Sequence, residues 1–343
     1  MGLYFRKLFI AFGAAAIAGC SLIDDDLSDC GVTFETGYEL ELVTNMSTEI
    51  QTQLSLESDI HVATALKAYL KNIFTDYAHD VDLSFYGVEA DSTRLKHLSE
   101  VMDASQSKYT FYIPSRKYMH LAAANLRENG IVEMTDSTVC HHSTLKQMES
   151  DTVPTHRTGL FTARLPMDVV SNQDQSFFVR LYISNCATSL VIDTVDSHLR
   201  HFKAFAQGFA TSFSICDSIY RFKSSPIMRA DLLPVTEGGE ICFTSVNFPS
   251  KDPDGSKVII DTNDHFVSDN AEEAIWRWNV YTTLHDGTVV ESVLSVKKPL
   301  RAGQLRIIKV KALDNGAVQP DMSQVGVSVK IDWNYAHEVD IEL

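Results

Sequence analysis

The chain has 343 residues, of which 45% are apolar and 22% charged, with only 16 glycines and 9 prolines. That composition excludes a disordered or collagen-like chain, and the length favours two domains. A formal charge of −16 repels phosphate backbones and anionic bilayers alike, which argues against nucleic-acid binding and against membrane attachment through basic charge.

Residues 1–19 read as a lipoprotein signal peptide. Arg6 and Lys7 form a basic start, and Leu8 to Gly19 is an uncharged run. That run falls short of the ~20 residues a spanning helix needs, so it is the apolar core of a signal peptide. Ile17-Ala18-Gly19-Cys20 resembles the bacterial lipobox. The resemblance implies that the Cys20 thiol takes a diacylglyceryl group and becomes the mature N-terminus. Two or three acyl chains, at ~0.8 kcal/mol per buried CH₂, then supply the outer-membrane anchor that charge cannot. Residues 20–31 read as an acidic tether. Its Asp24-Asp25-Asp26 cluster resembles the surface-export signal of Bacteroidetes lipoproteins.

The folded part begins with a half-buried strand, in which Phe34, Tyr38, Leu40 and Leu42 share one parity. Over 56–75, Leu56, Ile60, Ala63, Leu66, Leu70, Ile73 and Phe74 recur at three and four. This spacing predicts an amphipathic helix, capped by Ser58 or Ser55, inserted as an ornament on the first domain. Val81, Leu83 and Phe85 alternate, as do Tyr109, Phe111 and Ile113, and His120 to Asn125 is assigned to a strand. Residues 135–158 are rich in Thr, Ser, His and Asp and read as irregular surface. A polar cluster then places a domain boundary near residue 172, giving domains 32–172 and 173–343.

The second half is more plainly β. Phe177, Val179, Leu181 and Ile183 alternate, and Leu190-Val191-Ile192 is a short apolar run. Phe209, Phe213 and Ile215 are β-prone, and Ile241, Phe243 and Val246 lead into a turn-rich loop before Val258-Ile259-Ile260. Trp276, Trp278 and Val280 share a parity ahead of His285-Asp286-Gly287-Thr288, a hairpin signal. Leu305 to Leu313 is closed by Asp314-Asn315-Gly316, and Val325, Val327, Val329, Ile331 and Trp333 alternate at the end. Short strands at regular spacing in both halves predict an all-β chain with one helical insertion, folded as two antiparallel β-sandwiches.

Candidate chemistry is sparse. Cys30, Cys140, Cys186, Cys216 and Cys242 remain besides Cys20. Export allows disulfides, but five is odd, none lies in a CxxC spacing, and the last four leave open zero to two bridges. His198 and His201 near Asp193, Asp196 and Asp217, and His141-His142 beside Cys140, lack a diagnostic metal spacing and read as surface loops. Asp252 to Gly255 and Asp261 to Asp264 read as turns rather than calcium loops. Trp276 and Trp278 could stack on a sugar, although a shared parity favours the core. No catalytic residue, metal or cofactor is expected.

The lipobox, Asp24-Asp25-Asp26, Leu27-Ser28-Asp29-Cys30, the stretch from Tyr109 to Asn125, and the closing Val325 to Asn334 together resemble the FimB/Mfa2 family of Bacteroidales fimbrial lipoproteins. The resemblance implies two tandem transthyretin-like sandwiches and no enzymatic activity. It implies a surface-exposed fimbrium anchor or accessory subunit, joined to other fimbrial subunits by strand addition, with Cys20 as the lipidation site. The 56–75 helix departs from the family pattern, which often has a strand there. Two other readings are a cleaved shaft or tip subunit and a lipid-anchored glycan-binding protein.

Overall fold

A computed structural model describes residues 34–43, 57, 59–74, 78–88, 94–101, 107–135, 137–171, 173–194, 199–223, 226–235, 239–253, 258–260, 274–320 and 327–332. The described residues are mostly β, with four sheets and one α-helix.

The first sheet has seven strands. Phe34–Val43 runs parallel to Gln175–Ile183 and antiparallel to Lys108–Ile113. Arg94–Val101, Asp80–Gly87, Lys117–Ala124 and Phe161–Asp168 follow on the far side. Phe161–Asp168 meets Gln175–Ile183 through only two residue pairs, Tyr182 with Thr162 and Ile183 with Phe161. The sheet turns a corner at that narrow join, and its two parts share one core. Tyr38 comes from one part and Phe85 and His120 from the other. The His120 ring stacks on Phe85 at 4.4 Å, and Tyr38 meets Phe111 edge-on at 5.6 Å. His120 Nδ1 donates to the Ser84 carbonyl at 2.9 Å. Its Nε2 is thereby left as the acceptor for the Tyr38 hydroxyl.

The second core lies between a five-stranded and a six-stranded sheet. The five are Asp231–Leu233, Glu240–Asn247, Cys186–Asp193, Leu305–Ala312 and Val318–Pro320. The six are Val327–Asp332, Val289–Val296, Trp276–Leu284, Leu199–Gln207, Ile227–Arg229 and Thr152–Pro154. Leu190, Ile192, Phe243 and Ile308 face Ala204, Trp276, Trp278, Val280 and Leu294 across it. The expected hairpin is present. Gly287 has φ +90°, and Asp286 Oδ1 accepts from the Thr288 amide at 2.8 Å, the turn chemistry that Asp-Gly supplies.

The helix spans Ile60–Ile73, and its cap is Asp59 rather than Ser58 or Ser55. Asp59 Oδ1 accepts from the amides of His61 at 2.7 Å and Val62 at 2.9 Å, two donors that the first helical turn leaves unpaired. The helix is also not an ornament on the first domain. Val62, Leu66, Leu70 and Ile73 pack on Ala187, Val191, Cys242, Val246 and Leu305, the outer face of the five-stranded sheet. The reason lies in Cys186–Asp193, where every residue from Cys186 to Ile192 is buried. Both faces of that strand are apolar, so the face turned away from the second core needs a cover.

Residues 135–158 are not an irregular surface. Thr144–Gln147 joins Val132–Met134, Ser212–Ser214, Ile219–Phe222 and Val258–Ile260 in a fourth, small sheet. Its core packs on Tyr86, Leu121 and Ala123 of the seven-stranded sheet. Leu145, Val153 and His156 are fully buried. Hydropathy misleads here because several of the polar residues in and beside this stretch are buried and hydrogen-bonded. Asn129 Nδ2 donates to Thr158 Oγ1 at 2.8 Å, Thr158 Oγ1 to the Asn125 carbonyl at 2.6 Å, and His156 Nε2 pairs with Gln147 Oε1 at 3.0 Å. Backbone pairing also crosses residue 172 in both directions. Thr144–Gln147 and Thr152–Pro154 pair with strands beyond residue 210, and Gln175–Ile183 pairs with Phe34–Val43.

Three stability measurements follow from this packing. Leu66→Ala leaves a cavity under the helix and costs about 2–5 kcal/mol in urea unfolding. Burial holds His156 down to about 3 and His120 to about 4, below the ~6.5 of the unfolded chain. The stability these neutral rings contribute is present above pH ~6.5 and is lost as pH falls toward their folded values. His156→Gln therefore flattens the decline of Tm between pH 6.5 and 4 in calorimetry. Glu240 behaves oppositely, pushed up to about 7 by burial and then by the Asp59 carboxylate at the helix cap. Its favourable contribution is present at acid pH and is lost as pH rises through about 7. Glu240→Gln gains stability relative to the parent at pH 8 and not at pH 4.

Candidate functional site

Cys20, the expected lipidation site, lies outside the described residues, as do residues 1–31 with their Asp24-Asp25-Asp26 cluster. Among the described residues, the seven-stranded sheet holds Phe34–Val43, the first described segment after that cluster, and has an edge strand at Lys108–Ile113. Phe34–Val43 is paired on both sides, and Lys108–Ile113 beyond it ends the sheet among the described residues. Burial alternates strictly along Lys108–Ile113: Tyr109, Phe111 and Ile113 enter the core, while Lys108, Thr110 and Tyr112 face outward. Among the described residues no strand pairs with its outer backbone edge. Lys108 forms an ion pair with Glu39 across the ladder at 3.7 Å. Lysine on an edge strand discourages indiscriminate pairing and leaves room for a chosen partner.

A second open edge lies beside the helix. Asp231–Leu233 ends the five-stranded sheet, and a groove runs between it and the helix, lined by Ile60, Thr64, Ala68, Tyr69, Leu233 and Pro234. Ile60 is 73% exposed and Leu232 61%, although the helical periodicity predicts Ile60 on the packed face. The Tyr69 hydroxyl donates to Asp231 Oδ2 at 2.7 Å, which pins the edge to the helix. Among the described residues, both edges leave backbone donors and acceptors beside apolar side chains.

The polar constellations of the sequence divide under the structure. Trp276 and Trp278 are both fully buried, and Trp276 Nε1 donates to the Lys298 carbonyl at 2.8 Å. Neither ring presents a face for stacking on a sugar. His201 is exposed on a strand, whereas His198, Asp196, Asp254 and Asp261 to Asp264 lie outside the described residues. Asp252 pairs with Arg301. Asp217 joins a different partner from the one expected: its Oδ1 lies 2.8 Å from His141 Nδ1. Cys216 Sγ is 3.7 Å from the same nitrogen, and Cys140 Sγ donates to Cys216 Sγ at 2.6 Å. Sequence spacing could not pair these residues, because Cys140 and Cys216 lie 76 positions apart. Thiol and carboxylate both address one nitrogen of His141, so the group lacks the relay of a nucleophilic triad, in which base and orienting acid use opposite nitrogens. Among the described residues no helix is long and apolar enough to cross a membrane.

No protein-family model matches the sequence, and no curated protein does. Solved structures do match. A candidate adhesin from Bacteroides ovatus is 9% identical, over 88% of this chain and 97% of its own, with a TM-score of 0.53. A candidate adhesin from Bacteroides thetaiotaomicron is 8% identical, over 88% and 96%, with a TM-score of 0.51. The fimbrial anchor protein Mfa2 from Porphyromonas gingivalis is 7% identical, over 87% and 98%, with a TM-score of 0.46. Identities this low establish likeness of fold, and the likeness to the two candidate adhesins extends over most of both chains.

Proposed function

We propose that this protein is a cell-surface lipoprotein that serves as a fimbrium anchor or accessory subunit. It is held in the outer membrane by acyl chains on Cys20 and is joined to other fimbrial subunits by strand addition. The observation that carries this reading is the Ile17-Ala18-Gly19-Cys20 sequence ahead of an all-β chain. A fold shared with candidate adhesins supports a role in adhesion. In this reading the cornered seven-stranded sheet and the facing five- and six-stranded sheets are two tandem transthyretin-like sandwiches.

The division of labour is physical. Lipid supplies attachment that the acidic surface cannot, and an open edge supplies affinity through backbone hydrogen bonds, with side-chain alternation setting register. No catalytic group is needed for either task. Burial of Trp276 and Trp278 removes the stacking platform that favoured a glycan-binding module.

Cys20→Ala separates the anchor from its rivals. The variant leaves the outer-membrane fraction and appears in the medium, and fimbriae are shed or lengthened. Fimbriae that stay attached at normal length in the variant refute the anchor role. A mature N-terminus well downstream of Cys20 in the surface protein points instead to a cleaved shaft or tip subunit.

A further inference from the structure

We propose that Cys140 and Cys216 are joined by a disulfide in the exported protein, stapling the small fourth sheet. The inference rests on the export reading above, because an oxidising compartment is what lets such a bond persist. Cys140 opens the 3₁₀ turn Cys140–His142, and Cys216 follows the strand Ser212–Ser214. The ladder between these segments pairs Thr144 with Ser214. The Ile215 amide donates to the Ser143 carbonyl at 3.1 Å, and the Ser143 amide to the Cys140 carbonyl at 3.0 Å. Backbone pairing alone therefore holds the two cysteines opposite each other, with the sulfurs 2.6 Å apart. The remaining described cysteines have no such option. Cys186 and Cys242 are on neighbouring strands but in different cores, one between the sheets and the other under the helix. They stay thiols, and of the zero to two bridges that the sequence leaves open, one forms.

The surroundings also equip one sulfur to react. Cys216 is lowered to about 7, first by the hydrogen bond from Cys140 and then, against burial, by the charge of His141. His141 is itself raised by its bond to Asp217. Cys216 is thus the attacking thiolate. It displaces one thiolate from a disulfide-bearing oxidant and forms a mixed disulfide. The Cys140 thiol then gives up its proton and attacks the Cys216 sulfur, expelling the second thiolate. Two cysteines are oxidised, one external disulfide is reduced to a dithiol, and the two protons go to the departing sulfurs. Exposure of 2% at Cys140 and 5% at Cys216 places this exchange late in folding, once the 3₁₀ turn and its ladder have paired but before the core closes over the sulfurs.

The test uses the full chain purified from cell envelopes, with free thiols blocked before and after denaturation and the peptides mapped by mass spectrometry. The expected result is a Cys140–Cys216 peptide pair joined and two hydrogens light, with Cys186 and Cys242 blocked only after denaturation. Reductant should lower Tm on the order of 10 °C, for a bridge closing a loop this long. Cys140→Ser should show the same fall and no further response to reductant. Both cysteines blocked without reductant, in protein whose Cys20 carries lipid, overturns the disulfide and leaves the export reading standing. A zinc ion released by chelator, with both thiols then blocked, overturns it in favour of a metal held by the same cluster. If Cys20 proves unmodified, the lipid-anchor reading fails, and the pair is judged by refolding the same chain with oxidised glutathione. Failure to bridge there overturns the disulfide on its own.

Discussion

Cys186–Asp193 has no face left for water, and much of the architecture follows from that. One face completes the core between the five- and six-stranded sheets through Leu190 and Ile192. The other carries Ala187 and Val191 and would be an exposed apolar patch if the helix did not lie on it. The helix depends on the same contact, because fourteen residues in isolation are marginal in water and Asp59 supplies only the first turn. Sheet and helix therefore stabilise each other, and the groove beside Asp231–Leu233 exists only because the helix is seated there.

Strands that alternate were legible in the sequence. Lys108–Ile113, Asp80–Gly87 and the Trp276–Leu284 hairpin fall where period-two patterning and turn chemistry place them. The short apolar run Leu190-Val191-Ile192 lies in a strand buried on both faces, and nothing local in the sequence says what covers the second face. Its cover lies more than a hundred residues away in the chain, so the sequence does not name the helix's neighbour. The cap is ambiguous in the sequence for a smaller reason: Ser55, Ser58 and Asp59 are all good capping residues, and one position decides which carboxylate or hydroxyl reaches the free amides.

Polarity was the least legible property. A threonine, asparagine or histidine reads the same in the sequence whether it faces water or closes a buried network. Asn125, Asn129, Thr158 and Asn185 do the latter: Asn185 Nδ2 reaches the Thr158 carbonyl at 2.9 Å, and Asn125 Nδ2 the Gly159 carbonyl at 3.0 Å. The partners come from separate stretches of chain, so only the folded structure reveals that they are satisfied. The His141, Cys216 and Asp217 cluster was opaque for the same reason. The likeness of Ile17-Ala18-Gly19-Cys20 to a lipobox is the opposite case, since it is local and linear, carried by four consecutive residues and the run before them.

On the proposed attachment through Cys20, tension along the chain enters the described residues at Phe34. The strand that begins there is hydrogen-bonded along both flanks, parallel to Gln175–Ile183 and antiparallel to Lys108–Ile113. Tension directed along its axis is shared by many rungs of two ladders at once, as in a shear joint. A terminal hairpin pulled from its open end would instead surrender its bonds one by one. Drag from flow that enters along this strand is thereby resisted collectively.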